Sequence, residues 1–189
     1  YILGHSQNVP LNDDELHSIP QNLTLDYWNY STLPEEEHAA NIRRLQKTGC
    51  PVWISPGLHS WNRFFGDFAR AVETGATFCR AAAKCGIRSA MTTLWGDDGA
   101  ESLFRTNFAS AAHHLLCMNN PENTLETTAA RVAEAGFPLE RFQLLNSLDN
   151  RAFIANDPPE INWSVAKQLF YDDPLYGFLL RLTHLRDFE

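Results

Sequence analysis

The sequence predicts an α/β protein in which a parallel sheet is followed by a region of helices. Over residues 1–102, apolar strand-like runs alternate with helix-like runs, a pattern typical of parallel strands joined by crossover helices. The predicted strands end in aromatic and polar residues, and in parallel sheets ligands bind at the carboxyl ends of strands. The strand-like runs stop near Ser102, so we expect residues 1–102 and 103–189 to form different units.

Charge and hydropathy limit the classes of partner. The 189 residues carry a net charge of −8, which argues against nucleic acid phosphates and against an anionic membrane surface as partners. No apolar run approaches the roughly 20 residues that span a bilayer. Neutral, cationic and small-molecule partners stay open.

The first residues and the cysteines bear on where the protein works. Tyr1 is not an initiator methionine and no charged segment follows it, so we expect an internal piece of a longer protein, with no signal peptide in this stretch. A signal upstream of Tyr1 stays open. The cysteines lack CxxC spacing, and we interpret them as buried free thiols of a reducing, cytoplasmic environment. They are Cys50, Cys79, Cys85 and Cys117.

The sequence predicts no metal or cofactor site. His113 and His114 form one tight histidine pair, but adjacent residues face different ways on a helix. The acids within residues 13–17 are interpreted as a solvated helical turn capped by Asn12 rather than a catalytic carboxylate cluster. This interpretation follows because no apolar neighbours flank these acids to shift their pKa values.

Two strand–helix units follow. A strand over residues 23–30 leads to a helix that we expect to begin after the N-cap Thr32 and to end at Gly49. A second short strand covers residues 51–55, and Trp53 inside it is interpreted as part of the core. This strand opens into a loop that carries a histidine and a further tryptophan.

A long helix and a third strand complete the predicted sheet region. The helix covers about 64–85 and is expected to break near Gly75, and the strand covers residues 87–94. An abrupt change to glycines and acids after Trp95 indicates a strand that delivers polar groups to a ligand. The helices predicted beyond this point cover residues 103–118, 124–135, 139–148, 164–171 and 178–185.

Tryptophans at three successive strand ends predict one aromatic-walled pocket. Trp28, Trp61 and Trp95 follow or end the three predicted strands, and the ends of parallel strands meet at one edge of a sheet. Stacking of a ring on the apolar face of a pyranose is the chemistry that such a wall supports. Asp97 and His59 lie beside these rings in the sequence and would bind the sugar hydroxyls.

Four motifs resemble those of glycoside hydrolase family 20, the exo-β-N-acetylhexosaminidases, and they occur along the chain in the order found in that family. The resemblance is greatest to a bacterial branch with a helical C-terminal domain. Residues 93–101 resemble the last barrel strand of that family, and residues 25–30 resemble its Tyr-Trp-(Asp/Asn)-Tyr strand. Residues 56–61 resemble its Gly-x-x-x-Trp loop, and residues 171–177 resemble a Tyr-x-Asp-Pro-Leu-x-Gly motif of its helical domain.

The resemblance implies a fold and an activity. Residues 1–102 would be the C-terminal strands of a (β/α)₈ TIM barrel, and residues 103–189 would be an all-helical C-terminal domain. The implied activity is retaining hydrolysis of terminal β-linked GlcNAc or GalNAc, in which the substrate's own acetamido group attacks C1. The adjacent Asp-Glu pair that this chemistry needs is expected upstream. Asp14-Glu15 is the one such pair here, and it does not end an apolar strand.

Site residues also follow from the resemblance. The tryptophans would wall the sugar pocket, and Asp97 would bind hydroxyls of the non-reducing end. His59 lies near a tyrosine that holds the N-acetyl carbonyl in the family, and this departure puts that contact in question. The candidate substrate-binding residues are Trp28, His59, Trp61, Trp95, Asp97 and Glu101.

The implied partners are N-acetylhexosamine-containing glycans, the missing N-terminal half of the barrel, and a further copy of the chain. The chain alone is expected to be inactive because it lacks the catalytic pair. Two other interpretations stay open. One is a non-catalytic carbohydrate-binding or interaction fragment, and the other is a sugar-acting TIM-barrel enzyme of a different family.

Overall fold

The structure is a computed structural model that describes residues 2–6, 11–61, 66–96 and 104–147. It is a mixed α/β structure with a parallel sheet, as the alternating pattern predicts. The strands lie in the order in which they occur along the chain. They are β1 (Ile2–Ser6), β2 (Thr24–Trp28) and β3 (Val52–Ser55).

Strand β1 was not predicted; before β2 the sequence indicated only the helical turn within residues 13–17. Ile2 pairs with Thr24 and Ser6 pairs with Trp28 in a parallel ladder along β2. Gly4 lies within the strand and weakens its local signal, because glycine is unfavourable in strand interiors. The strand therefore depends on pairing with a distant segment, which local sequence does not report.

The predicted third strand is only partly formed. Two isolated parallel bridges, Ile54 to Ala90 and Gly57 to Thr93, join residues 87–94 to β3 and the loop after it. The nitrogen of Thr93 donates to the carbonyl oxygen of Pro56 at 3.0 Å, so the segment keeps the direction of a fourth strand. Pro56 itself has no N–H to donate, which interrupts the regular ladder at this point.

Helices cover one face of the sheet. Alternate residues of the strands, such as Leu25 and Ile54, join Ile42 and Phe78 of the helices in one buried core. Residues between them, such as Asp26, point to the opposite face because the side-chain period of a strand is two. The helices on this side are α1 (Asp13–His17), α2 (Glu35–Gln46) and α3 (Phe68–Lys84).

Helix α1 forms as predicted. Asn12 Oδ1 accepts from the backbone N–H of Glu15 at 2.9 Å, and the Glu15 carboxylate accepts from the Asn12 N–H at 2.7 Å. This reciprocal capping box satisfies two backbone donors that would otherwise be unpaired at the helix start. Glu15 belongs to the only adjacent Asp-Glu pair of the sequence, and its role is structural because it caps this helix.

The two longer helices differ from the prediction at their starts. Helix α2 begins after Pro34, which makes no side-chain cap, so Thr32 is not its N-cap. Helix α3 begins at Phe68 rather than near residue 64, and Asp67 Oδ1 accepts from the Arg70 N–H at 3.0 Å as its cap. This cap defines the helix start more closely than the apolar pattern does.

Helix α3 is continuous through Gly75, where a break was predicted. A Cβ atom at Gly75 would lie 2.2 Å from His114 Cδ2. The glycine therefore permits close approach of two helices and does not end one. By contrast, Gly49 lies after a helix end with φ of 83°, as predicted for a glycine stop, and Gly136 lies after the end of the later helix Leu125–Glu134 with φ of 84°.

Helices follow the sheet region, as predicted. A short 3₁₀ helix (Phe104–Asn107) leads into α4 (Phe108–Asn119), which is followed by α5 (Leu125–Glu134). A second buried cluster joins α3, α4 and α5 through side chains including Phe68, Ala109 and Val132. No helix in the described ranges is long and apolar enough to cross a membrane. The last helix within the described ranges is α6 (Leu139–Ser147).

Some predictions fall outside the described residues. These are the helices over residues 164–171 and 178–185, the motif over residues 171–177, and the candidate site residues Asp97 and Glu101.

Candidate functional site

Five aromatic side chains meet at the carboxyl end of the sheet, and we call them the aromatic cluster. Trp28 and Trp95 stack with ring centroids 5.8 Å apart and planes 24° apart. Tyr30 and Trp61 stack at 4.6 Å and 29°. The cluster thus brings together the three tryptophans predicted from the strand ends. Its members are Trp28, Tyr30, His59, Trp61 and Trp95.

Tyr30 holds the cluster together and was not predicted as a site residue. The indole N–H of Trp95 donates to its hydroxyl, which is also hydrogen-bonded to Thr93 Oγ1 at 2.6 Å. Its ring meets that of Trp28 edge-on at 5.7 Å. The signal was available, because Tyr30 lies two residues after Trp28 and so extends toward the same side of the chain.

Burial raises the pKa of Tyr30, and the hydrogen bonds from Thr93 and Trp95 oppose this effect. The phenol is therefore neutral at physiological pH and can accept and donate at once. The backbone makes room for it at Gly57, where a Cβ atom would lie 2.7 Å from the ring of Tyr30. The position of the phenol is thus set by both polar and steric contacts.

His59 belongs to the cluster but has no exposed surface. Its ring lies 4.8 Å from that of Trp61 and 6.3 Å from that of Tyr30, and its Nε2 is hydrogen-bonded to Thr74 Oγ1 at 3.2 Å. Its φ is +50°, a left-handed backbone conformation that is uncommon outside glycine and found in constrained sites. In this structure His59 supports the two rings above it.

The accessible ring surface comes mainly from Trp95, which is 41% exposed, while Trp61 is 8% exposed. Trp95 is nevertheless held firmly. Its backbone N–H donates to Ser60 Oγ at 3.2 Å, and that hydroxyl donates to the Trp95 carbonyl oxygen at 2.7 Å. With the indole bond to Tyr30, these contacts fix an exposed ring in one orientation.

A buried carboxyl lies on the same face of β2 as Trp28. Asp26 is 6% exposed, and Ser55 Oγ donates to its Oδ1 at 2.7 Å. Burial raises the pKa of Asp26, although the bond from Ser55 lowers it. Trp53 pairs in register with Asp26 and is half-buried, so it lies on the same face as Asp26. The prediction that Trp53 belongs to the core is therefore wrong for the core beneath the helices.

The adjacent histidines have structural partners. His114 Nδ1 is hydrogen-bonded to Thr92 Oγ1 at 2.7 Å and its Nε2 to the Ala71 carbonyl oxygen at 2.7 Å. Burial lowers the pKa of His114 to about 4. His113 is hydrogen-bonded to Thr128 Oγ1 at 2.7 Å. No group of three metal-ligating side chains is placed to hold an ion within the ranges that the structure describes.

The cysteines are free thiols. Cys50, Cys79 and Cys117 are buried as predicted, while Cys85 is half-buried. Burial raises the pKa of Cys79 to about 12, so this thiol is protonated at neutral pH. The cysteines whose pKa is raised in this way are poor nucleophiles, because the thiolate is the reactive form.

The arrangement offers a fixed aromatic platform beside hydroxyl and carboxyl groups. It is suited to holding a ligand with one apolar face and several hydroxyls. No family model matches the chain, and no curated protein matches it. Any function assigned to it therefore depends on this platform and on the topology of the sheet.

Proposed function

We propose that the chain is the C-terminal part of a retaining exo-β-N-acetylhexosaminidase similar to glycoside hydrolase family 20. In this proposal it supplies the tryptophan-walled sugar pocket, while the catalytic Asp-Glu pair comes from an upstream part of the barrel. The aromatic cluster at the carboxyl end of a parallel sheet is the observation that carries the proposal. Residues 1–102 are proposed as C-terminal barrel strands and residues 103–189 as a helical domain.

The topology supports a barrel rather than a doubly wound sheet. Strands β1, β2 and β3 are adjacent in sequence order, and the segment bridged to β3 continues that order. Right-handed crossovers that always advance in one direction place every helix on the same face. A doubly wound sheet instead reverses its strand order and carries helices on both faces.

The geometry supports a pyranose as the ligand. The exposed ring of Trp95 stacks at 5.8 Å on Trp28, so it offers a preorganised flat surface for the apolar face of a sugar. Preorganisation matters because fixing a mobile side chain on binding costs free energy. Trp61 is largely buried and stacks on Tyr30, so in this proposal it supports the platform from below.

Hydroxyl recognition is assigned to the acids after the platform. Asp97 lies two residues beyond Trp95 and Glu101 six residues beyond it. Carboxylates accept strong hydrogen bonds from hydroxyls, so Asp97 would bind hydroxyls of the non-reducing end and Glu101 would contribute to substrate binding. His59 acts through Trp61 and Tyr30 as a positioning residue, because its own ring is fully buried.

The chemical step divides between two parts of the protein. The upstream glutamate would protonate the leaving oxygen, and the preceding aspartate would orient the acetamido group that attacks C1. Such substrate-assisted hydrolysis is an exception to the scheme with two protein carboxylates. The chain described here would bind and orient the terminal sugar. Asp14-Glu15 takes no part, since Glu15 caps α1.

A binding measurement tests the proposal. Calorimetric titration with N-acetylglucosamine should show saturable binding, and Trp95→Ala should weaken it about tenfold, given the free energy of aromatic contacts. Trp53→Phe is the matched control, because Trp53 lies on the same sheet face but outside the aromatic cluster. Equal affinities for the wild type and Trp95→Ala would contradict the site assignment.

A non-catalytic carbohydrate-binding module is the second candidate. It is favoured by the absence of an Asp-Glu pair at a strand end of this sequence. A sugar-acting barrel enzyme of another family would share the same platform. Joining the chain to its upstream region separates these candidates, because only the proposed enzyme should then release an aryl alcohol from an aryl N-acetyl-β-glucosaminide.

A further inference from the structure

A cavity whose lining includes no member of the aromatic cluster lies between the 3₁₀ helix, the start of α4 and the start of α6. Its volume is about 520 Å³, and we call it the α4–α6 groove. Leu94, Phe104, Phe108 and Phe137 form its apolar wall. The first three of these are between 41% and 48% exposed, so a large apolar surface is open to solvent.

The groove also contains a buried amide. Asn107 lines it and is 2% exposed, yet neither its Oδ1 nor its Nδ2 has a hydrogen-bond partner within the part of the chain that is described. An unpaired buried amide is unfavourable, and such groups are generally satisfied by protein, water or ligand. Asn107 therefore points to a polar partner at the wall of an apolar cavity.

Two arginines complete the lining. Arg105 and Arg141 both face the groove, and neither guanidinium forms an ion pair or hydrogen bond with the residues of the described ranges. Four other arginines of the described ranges, Arg44, Arg70, Arg80 and Arg131, have carboxylate partners, while Arg43 and Arg88 have none. Arg44 pairs with Asp13 at 2.8 Å and Arg80 pairs with Glu35 at 2.8 Å.

We propose that the α4–α6 groove binds a small amphipathic carboxylate. Its alkyl or aryl body would contact the side chains of Leu94, Phe104 and Phe108, and its carboxylate would accept from Arg105 and Arg141. Guanidinium groups suit a carboxylate because their planar N–H donors match its two oxygens. The cavity volume lies in the range of small-molecule sites, and an apolar wall with few polar groups is typical of them.

This ligand differs from the sugar of the proposed pocket. A pyranose offers many hydroxyls and no charge, and it would leave both guanidinium groups without an anion. The amphipathic carboxylate instead satisfies the apolar wall, the cations and the Asn107 amide together. The inference is independent of the proposed sugar site, so either can fail without the other.

Decanoate and decanol serve as probes that share an alkyl chain and differ in charge. Calorimetric titration of the full chain should show saturable binding of decanoate. The double variant Arg105→Ala/Arg141→Ala should weaken the binding of decanoate more than about tenfold, because charge-assisted hydrogen bonds are lost. The affinity for decanol should stay unchanged. Arg131→Ala is the control, because this exposed arginine pairs with Glu134 on α5, away from the groove.

A second variant guards against a loss of folding. Asn107→Asp keeps the size and shape of the side chain and places a negative charge beside the bound carboxylate, so it should weaken the binding of decanoate and leave that of decanol unchanged. Thermal unfolding followed by circular dichroism checks that both variants are folded. The proposal is overturned if the wild type shows no saturable decanoate binding, or if the variants bind decanoate as the wild type does.

Discussion

The two faces of β2 differ in what they do for the protein. Leu25 and Tyr27 point into the core beneath α2 and α3, where they are almost fully buried. Asp26 and Trp28 point to the other face, which carries a carboxyl and leads to the aromatic cluster. Neighbouring residues of one strand thus support stability and recognition separately, because alternate side chains point to opposite faces.

The largest effect on stability is expected from truncation of a core side chain on the helix-covered face of the sheet. Phe78 is 1% exposed and its ring lies 5.1 Å from that of Tyr27 and 4.4 Å from that of His38. Phe78→Ala should lower the free energy of unfolding by about 3 to 5 kcal/mol, as for large core truncations. Urea unfolding measures this, and Phe108→Ala, at an exposed phenylalanine, should cost less than about 1 kcal/mol. Equal losses would show that the core is misplaced.

The second-largest effect is a pH dependence of the free energy of unfolding, which originates on the helix-covered face of the sheet. Burial lowers the pKa of His38 from 6.5 to about 4. The unfolded chain then binds a proton more readily, so stability is full above pH 6.5 and is lost as the pH falls toward 4. The loss amounts to about 3 kcal/mol. His38→Gln should reduce the slope of unfolding free energy against pH between 6.5 and 4, and an unchanged slope would contradict the assignment.

A smaller effect is expected on the face of the sheet that carries Asp26 and Trp28, which we call the recognition face. Tyr30→Phe keeps the ring that stacks on Trp61 and removes the hydroxyl that binds Trp95 and Thr93. Loss of one hydrogen-bonding group should cost about 1 kcal/mol of stability and should weaken N-acetylglucosamine binding several-fold, because the Trp95 indole loses its hydrogen bond and only the Ser60 contacts with the Trp95 backbone remain. Calorimetry and urea unfolding together measure the two quantities. Unaltered binding would separate Tyr30 from the site.

The smallest effect concerns the buried carboxyl of the recognition face. Burial raises the pKa of Asp26, so its contribution to stability is present below the ordinary aspartate pKa and is lost as the pH rises through the folded-state value. Asp26→Asn keeps an acceptor for Ser55 and should remove this part of the pH dependence. Urea unfolding at acidic and neutral pH detects the change. The pH dependence of stability caused by Asp26 has the opposite sign to that caused by His38.

Local signals in the sequence predict much of the helix-covered half. The capping box of Asn12 and Glu15 and the stop at Gly49 are encoded within a few residues, so each is predictable from its neighbours. The strands β2 and β3 are also recognisable, because their apolar runs are bounded by turns. These features require no knowledge of what lies beyond them.

Features that depend on distant contacts are not predictable in this way. Strand β1 exists through its ladder with β2, and Gly75 is required by His114, which lies on another helix. The role of Tyr30 depends on Thr93 and Trp95, more than sixty residues further along the chain. Local propensity carries no information about such partners.

The meeting of the strand-end tryptophans was predictable from the sequence, but the role of Tyr30 and the exposure of each ring were not. The strand-end tryptophans were predicted to meet, and they do, but His59 is buried beneath them and Trp61 is largely buried beside it. Exposure depends on the packing of the whole cluster, which strand-end positions alone do not fix. Asp97 and Glu101 stay predictions as sugar ligands.

We propose that the aromatic cluster binds an N-acetylhexosamine. Titration of the ¹⁵N-labelled chain with N-acetylglucosamine, followed through the indole N–H signals, tests it residue by residue. We expect saturable shifts for Trp28 and Trp95, which stack on each other, and none for Trp53, which lies outside the cluster. Unshifted signals of Trp28 and Trp95 at saturating sugar, or equal shifts at Trp53, would contradict the claim.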